Sequence, residues 1–436
     1  MKEENLMEKI VSLSKRRGFV FQGSEIYGGL GGTWDWGHYG VALKNNIKQN
    51  WWKKFVDNRK DIYGVDAAIL MRQEVWKNAG HVDNFTDPMV ECKKCHKRFR
   101  TDQIKDKEKC PECGGELGES KLFNMMFETF VGASDESSAI SYLRPETAQG
   151  MFVNFKNTVD AFHPKLPFGM AQIGKAFRNE ITPRDFLFRQ REFEQMEIEY
   201  FVREKDWKKY FEYWKDEMIE WMEEVGINMG KIHELEVSEE DRAHYSKRTV
   251  DFEFDYPFGR KELFGLAYRT NFDLTNHGLD YIDEENNDSS GGKKIVPHVI
   301  EPTFGVDRAV LAILLSAYKE EGEGEDKRVF LKLSPNVAPV ICAISPLLKN
   351  KPELVEYANT KVYAPLKAEF GRVVWDDNGN IGKRYRRQDE VGTPWCVVID
   401  FETLENDTVT IRDRDTGRQE RVEISALKDY FKEKIQ

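Results

Sequence analysis

Apolar residues along this chain recur at two periods, and the switching between them outlines its elements. Leu6, Ile10 and Leu13 are three or four apart and predict a helix over residues 6–17. Leu43, Ile47, Trp51 and Phe55 keep that period in a second helix starting near Val41. The strongest stripe is Trp207, Phe211, Trp214, Met218 and Trp221, clearest over 204–225 within a helical segment assigned to 203–250. It reads as core packing and not as a cofactor box. Runs at 67–71 and 123–131 have strand character. Gly23, Gly28, Gly29, Gly31 and Gly32 punctuate a loop whose spacing matches no phosphate cradle.

The pattern over 177–200 is different in kind. Phe177-Arg178-Asn179-Glu180 reads as strand, with Arg178 and Glu180 pointing one way and Phe177 the other. Thr182-Pro183-Arg184-Asp185 supplies turn chemistry. On the return strand Phe193, Gln195 and Glu197 share one face, while Met196, Ile198 and Tyr200 line an opposite, apolar one. Buried charge is costly unless paired. The polar face is therefore either solvated, with cross-strand ion pairs, or a nucleotide site. In the second case an Arg holds phosphate, a Glu accepts from an adenine amino group and a Phe stacks on the base. Farther along, Glu301, Thr303 and Gly305 alternate on one strand face, and Arg308 falls in the first turn of the next helix, where phosphate is already favoured.

Length and composition frame these segments. A chain of 436 residues with 40% hydrophobic and 32% charged residues is expected to fold as two or three globular domains. Its longest apolar run, 309–315, is too short for a bilayer, and the charged N-terminus lacks an apolar signal region, so a cytoplasmic location without membrane partners is expected. A net charge of −11 argues against broad nucleic-acid binding but allows a local basic patch. Gly382-Lys383-Arg384-Tyr385-Arg386-Arg387 is such a patch, suited to phosphate and base contacts or to a solvated helix face. The charged, glycine-punctuated stretch 319–328 predicts a boundary, dividing the chain into 1–330 and a mixed α/β domain over 331–436. By composition 283–294 is a flexible loop.

Four of the six cysteines pair as Cys92-Lys93-Lys94-Cys95 and Cys110-Pro111-Glu112-Cys113. Two such knuckles can present four thiolates to one structural zinc ion; the alternative is a pair of disulfides or spectator thiols. His96 reads as a bystander. The surrounding lysine-rich segment 88–121 looks like an insert in the first domain. Cys342 and Cys396 sit in strand-like apolar runs and read as core.

Phe177-Arg178-Asn179-Glu180 with Arg189 and Phe193 resembles motif 2 of the class II aminoacyl-tRNA synthetases. Gly305-Val306-Asp307-Arg308 resembles their motif 3, and the segment 37–71 their dimer-forming motif 1. Arg144-Pro145-Glu146-Thr147-Ala148-Gln149-Gly150, Glu194-Gln195-Met196-Glu197 and Glu301-Pro302-Thr303-Phe304-Gly305 are similar to the glycyl-tRNA synthetases of the homodimeric type. The likeness runs in order from Gly18 to Asp415. It implies an α+β architecture: a class II antiparallel-sheet catalytic domain with a zinc-ribbon-like insert, and a C-terminal mixed α/β anticodon-binding domain.

The resemblance also implies roles. ATP would lie among Arg178, Asn179 and Glu180, the run Phe188-Arg189-Gln190-Arg191-Glu192-Phe193, the pair Glu262-Leu263, and Gly305 to Arg308. Arg178, Glu180 and Arg308 would be catalytic, and Glu262 would help hold Mg²⁺. Glycine would meet Arg100, Glu146, the run Phe193-Glu194-Gln195-Met196-Glu197, and Glu301 to Gly305, with Glu146, Glu197 and Glu301 around its ammonium. Lys383, Arg384, Arg386 and Arg387 would contact tRNA(Gly). The implied activity is ATP-dependent ligation of glycine to tRNA by a homodimer. The presence of the ATP groups weighs against a synthetase-like binding protein without catalysis. Three glutamates around one ammonium weigh against a threonyl, prolyl or histidyl relative. Motif 1 departs from the expected pattern with Gly37-His38-Tyr39-Gly40, Trp34 and Trp36, and Thr303 stands where a serine is usual.

Overall fold

A seven-stranded sheet forms the centre of the computed structural model, which describes residues 4–132, 140–286, 292–324 and 327–435. Its strands are β1 (Ile62–Gly64), β2 (Phe168–Phe177), β3 (Glu192–Val202), β4 (Ile232–Glu236), β5 (Arg248–Tyr256), β6 (Gly259–Thr270) and β7 (His298–Gly305). Their spatial order is β4-β5-β6-β7-β3-β2-β1. Neighbours are antiparallel except β1 and β2.

Alternation gives this sheet two unlike faces. Met196, Ile198, Tyr200, Phe264, Ile300 and Phe304 point to the back. There they meet helices α1 (Glu4–Arg17), α2 (His38–Trp52), α3 (Trp207–Glu224) and α4 (Val306–Ala317). Phe55, Trp51, Trp221 and Phe264 surround the Phe304 ring. Fully burying a side chain such as Phe55 or Phe304 stabilises the fold by about 1.5–3 kcal/mol. On the front, Phe168, Met170, Phe201 and Val299 pack with Met151, Phe152 and Phe155 in a separate apolar cluster. The rest of the front face is mostly polar, with Phe193 among its charged and amide side chains.

Several expected elements take different bounds. The strand expected through Glu180 ends at Phe177. Beyond it the backbone amide of Asn179 donates to Met125 O, 2.7 Å away, and leaves the sheet. Residues 203–250 are helical only as far as Glu224, apart from the short turn Met229–Lys231. Gly226 at φ 86° turns the chain, and the alternation Val250, Phe252, Phe254, Tyr256 marks a core strand. The run 123–131 splits into Lys121–Asn124 and Phe127–Phe130, because Asn124 Oδ1 accepts from the Met126 amide at 2.8 Å and reverses the chain there. The run 67–71 is reduced to Leu70–Met71. The ends of the expected loop 283–294 belong to a paired ribbon, Tyr281–Asp283 with Lys293–Ile295, and 287–291 lie outside the described residues.

The charged stretch 319–328 belongs to a hairpin, Tyr318–Glu321 paired with Arg328–Leu331, of which 325–326 lie outside the described residues. Leu331, Leu333, Val337 and Ala338 still pack into the first core. A second core begins at Ile341. The change of core therefore falls between Ala338 and Ile341, later than the expected division at 330. The second core lies on a five-stranded sheet ordered Val373–Trp375, Cys342–Pro346, Trp395–Ile399, Thr408–Asp413, Gln419–Glu423. Cys342 and Cys396 are buried in it.

Candidate active site

The polar front face holds a cavity of about 370 Å³ at the ends of β3 and β7. Register builds its floor: Gln195 pairs with Gly174 on β2 and Gly305 on β7, and Glu197 pairs with Gln172 and Thr303. Phe193, Gln195, Thr303 and Gly305 line it, with Arg100, Arg178, Arg189 and Arg308 supplying positive charge. The Arg178 guanidinium sits 5.3 Å from the Phe193 ring centre and 5.4 Å from that of Phe85, and its Nε donates to Pro145 O at 3.1 Å. Arg308 lies 4.4 Å over Phe188 and pairs with Glu262 at 3.1 Å. Arg189 pairs with Glu180 at 3.4 Å. Planar cations braced against rings suit an aromatic base and phosphate oxygens.

Behind this cavity four glutamates are packed with little exposure: Glu146 8%, Glu197 2%, Glu199 0% and Glu301 6%. Glu197 Oε1 accepts from Thr303 Oγ1 and Gln195 Nε2, both at 3.1 Å. Its Oε2 accepts from the Thr147 amide at 3.1 Å and from the Thr147 hydroxyl. Glu301 accepts from Arg269 Nη1 at 2.7 Å, while Arg269 also grips both oxygens of Asp273 at 2.8 Å. Tyr245 covers this guanidinium at 3.7 Å. Glu146 lies 3.1 Å from His81 Nε2. Neither oxygen of Glu199 has a partner.

Crowding acids away from water disfavours their charged forms. Burial, helped by the charges of Glu197 and Glu146 and opposed by Arg269, pushes the Glu301 carboxyl up to about 8. Burial and then Glu146 raise Glu197; burial and then Glu301 raise Glu199 well above the usual range. For Glu146 the order reverses: burial pushes upward, but His81, Arg269 and Arg178 outweigh it and hold the carboxyl below its ordinary value. The chamber thus holds more acids than cations, and a small cation entering it would favour their ionised forms.

Not every expected site residue reaches this region. Met196 and Phe304 lie in the back core, and alternation puts Pro302 on their side of the sheet. Glu194 lines the cavity, but its carboxylate is engaged by Lys44 and Lys48 at 2.9 and 3.0 Å. Asp307 also lines the cavity, while its carboxylate accepts from Lys44 and from the Glu194 amide, fixing the start of α4. Arg191 is spent on the carbonyls of Gly31 and Glu180, Glu192 pairs with Lys175 at the surface, and Asn179 and Val306 do not line the cavity. Gln190 and Leu263 do line it. Arg100 reaches it from the insert, held by Asp87 and Asp102 at 2.5 and 2.8 Å. In the second domain Arg384 is 3% exposed and ties down Gly379 O and Pro346 O, so it supports the fold and offers no nucleic-acid contact. Arg387 pairs with Asp376 at 2.5 Å, whereas Lys383 and Arg386 are exposed.

Sequence reasoning overlooked Glu199, Arg269, Thr147 and His81. Glu199 continues the alternation Phe193, Gln195, Glu197 and was open to that signal. Arg144, named above only as part of the Arg144–Gly150 motif, donates to Lys175 O and Ala67 O at 2.6 and 2.7 Å. Gly174 makes room for it: a Cβ there would come within 2.1 Å of Arg144 Nη2.

Two sets of side chains have the chemistry of metal ligands. The Sγ atoms of Cys92, Cys95, Cys110 and Cys113 all lie within 4.8 Å of one another, with Cys92–Cys113 at 3.6 Å and Cys95–Cys110 at 3.7 Å. Tetrahedral zinc with Zn–S of about 2.3 Å needs sulfur separations of roughly 3.8 Å, so the quartet fits. His96 faces outward to Glu91 at 3.4 Å. Metal analysis of protein purified without added metal is expected to find about one zinc per chain, released by a chelator together with loss of order in 86–124; four titratable thiols and no metal would count against it. The second set consists of oxygen donors. Asp251 Oδ1 and Glu262 Oε1 lie 3.8 and 3.9 Å from the Cβ position of Gly265, and Glu253 pairs across with Glu262. Burial and then Glu262 and Glu253 push the Asp251 carboxyl up to about 7. Hard divalent ions take such oxygen donors.

Residues 129–318 match the core domain of the class II tRNA synthetases for G, H, P, S and T. Residues 341–434 match an anticodon binding domain. The chain is 49% identical to the glycine–tRNA ligase of Clostridium acetobutylicum, covering 100% of both. It is 47% identical to that of Treponema denticola, covering 98% of this chain and 97% of the relative. Against that of Bacillus cereus it is 46% identical, covering 99% of each. With the second core beginning where the anticodon-binding match begins, and the front-face cavity inside the class II core, the chain belongs to the glycyl-tRNA synthetase family of class II aminoacyl-tRNA ligases.

Proposed function

We propose that this protein activates glycine with ATP and transfers it to the 3′-terminal ribose of tRNA(Gly). The observation that carries the residue-level reading is the single sheet face on which the arginine–aromatic cavity adjoins the glutamate chamber. ATP would lie in the cavity, with adenine between Phe193 and Arg308, Glu180 accepting from its amino group, and Arg189 and Arg178 on phosphate oxygens. Glycine would put its ammonium among Glu146, Glu197 and Glu301 and its carboxylate toward the cavity. That carboxylate attacks the α-phosphorus, forming the glycyl-adenylate as the bond to pyrophosphate breaks. A ribose hydroxyl of tRNA then attacks the glycyl carbonyl and AMP leaves. No side-chain nucleophile is needed; orientation and charge stabilisation carry the rate. Mg²⁺ held by Glu262 and Asp251 would neutralise triphosphate charge.

In the second domain Lys383 and Arg386 are the candidate phosphate contacts. The reading includes a homodimer, supported by Ile26, Tyr27 and Leu30 standing 87%, 87% and 55% exposed beside the motif 1 segment. Among the described residues no helix is long and apolar enough to cross a membrane. A cytoplasmic location is supported by the free thiols, which suit a reducing compartment.

Amino-acid-dependent ATP–pyrophosphate exchange tests the assignment. Glycine is expected to drive exchange, with alanine and serine weaker by orders of magnitude. Exchange driven by threonine or proline instead of glycine would refute it.

A further inference from the structure

His81 is among the side chains that reach the glutamate chamber from outside the sheet. His81 begins the short helix His81–Asn84, after Gly80 at φ 78°. It is 5% exposed, with its ring 5.5 Å from Trp76 and 5.7 Å from Phe85. Inside this aromatic cage its Nε2 lies 3.1 Å from Glu146 Oε2, while its Nδ1 is buried without a partner. Glu146 is thus the polar contact of a ring with no other. The carboxylate itself has one further donor, Gln149 Nε2 at 3.3 Å, on its other oxygen.

The rest of the segment reaches the other substrate. Phe85, four residues on, lies 5.4 Å beneath Arg178, and the strand Thr86–Glu91 of the cysteine-bearing insert follows directly. The loop before β5 packs on the same segment, with His244 Nε2 3.2 Å from the Cβ position of Gly80. The charged or titratable groups around His81 are therefore Glu146 in front, His244 behind, and Arg178 and Arg269 beyond the carboxylate. A buried carboxylate keeps one orientation only while its donors hold it, and a lost hydrogen bond to a charged group is costly.

We infer that His81 is a positioning residue for the amino-acid substrate, holding Glu146 through Nε2–H in the orientation that receives the glycine ammonium. The segment 73–85 then braces both halves of the site, Glu146 through His81 and Arg178 through Phe85, and joins them to the base of the insert. This rests on the glycine reading of the chamber.

The test is ATP–pyrophosphate exchange by the full-length chain. His81→Phe keeps the ring packing and removes the donor. It is expected to raise the KM for glycine about 10- to 100-fold, the loss of one hydrogen bond to a charged group, with the KM for ATP within about twofold of wild type. His81→Gln, which restores an N–H at similar reach, should recover most of the glycine affinity. If His81→Phe does not fold, His81→Asn, too short to reach Glu146, takes its place against His81→Gln. An unchanged glycine KM, equal rises for glycine and ATP, or a glutamine variant no better than the donor-less one would overturn the inference. Wild-type exchange keeps the two readings apart: if the wild type prefers another amino acid, the glycine assignment fails whatever the His81 variants do.

Discussion

Arg178→Ala is expected to lower kcat for glycine-dependent pyrophosphate exchange by about 10²–10³-fold, the range seen when one preorganised charge-stabilising donor is removed. The guanidinium is braced between Phe85 and Phe193, and its Nε is committed to Pro145 O. Its terminal nitrogens therefore face the cavity in a fixed plane. Charge builds on the α-phosphate only as the new bond forms, so the interaction is strongest in the transition state. A smaller rise in the KM for glycine should accompany the loss, because Arg178 also helps hold Glu146 ionised. Arg178→Lys restores the charge without the planar fork and should recover part of the rate. If only the KM for glycine moved, the transition-state role would be wrong.

Arg269→Ala should be the most destabilising single change near the site. Arg269 is 0% exposed and is the cation bonded to both Glu301 and Asp273. Breaking a buried ion pair from one side typically costs about 3–5 kcal/mol, because the stranded charge stays desolvated. Here two acids lose their partner beside the unpaired Glu199. The expected result is a marked fall in the melting temperature of the catalytic-domain transition together with loss of glycine-dependent exchange. With two cores in the chain the domain transitions have to be followed separately. Adding Asp273→Asn and Glu301→Gln to Arg269→Ala should return much of the stability and none of the glycine affinity. A single variant that melts within a degree or two of wild type would show that the chamber protonates at little cost.

The sequence was most legible where one local rule decides the outcome. The stripe Leu43, Ile47, Trp51, Phe55 packs as expected, although the helix opens into a wider turn at Lys53–Asp57. The alternation Phe193, Gln195, Glu197 against Met196, Ile198, Tyr200 appears unchanged as the two faces of β3. Four thiols at two short spacings gather as a quartet because each knuckle reverses the chain within a few residues. Legibility failed where the deciding partner is distant in sequence. Arg191 and Glu192 carry the same charges as their neighbours in the motif, yet one holds a loop near residue 31 and the other lies at the surface. Arg384 sits in a basic run that reads as a nucleic-acid patch, and its carbonyl partner Pro346 makes it a buried strut.

By itself the sequence determined which residue types alternate on which strand, the quartet of cysteines, and the family to which those motifs belong. Only the tertiary structure decided which charges are substrates' partners and which are the protein's own. Glu197 stands opposite Thr303, and Arg269 joins Asp273 to Glu301, because β3, β6 and β7 pair across separations of tens of residues, with the register of β6 on β7 shifting at Arg269. Once those strands are side by side, burial strengthens every electrostatic term among them. The chamber's excess of acids over cations is a property of that packing and belongs to no single segment.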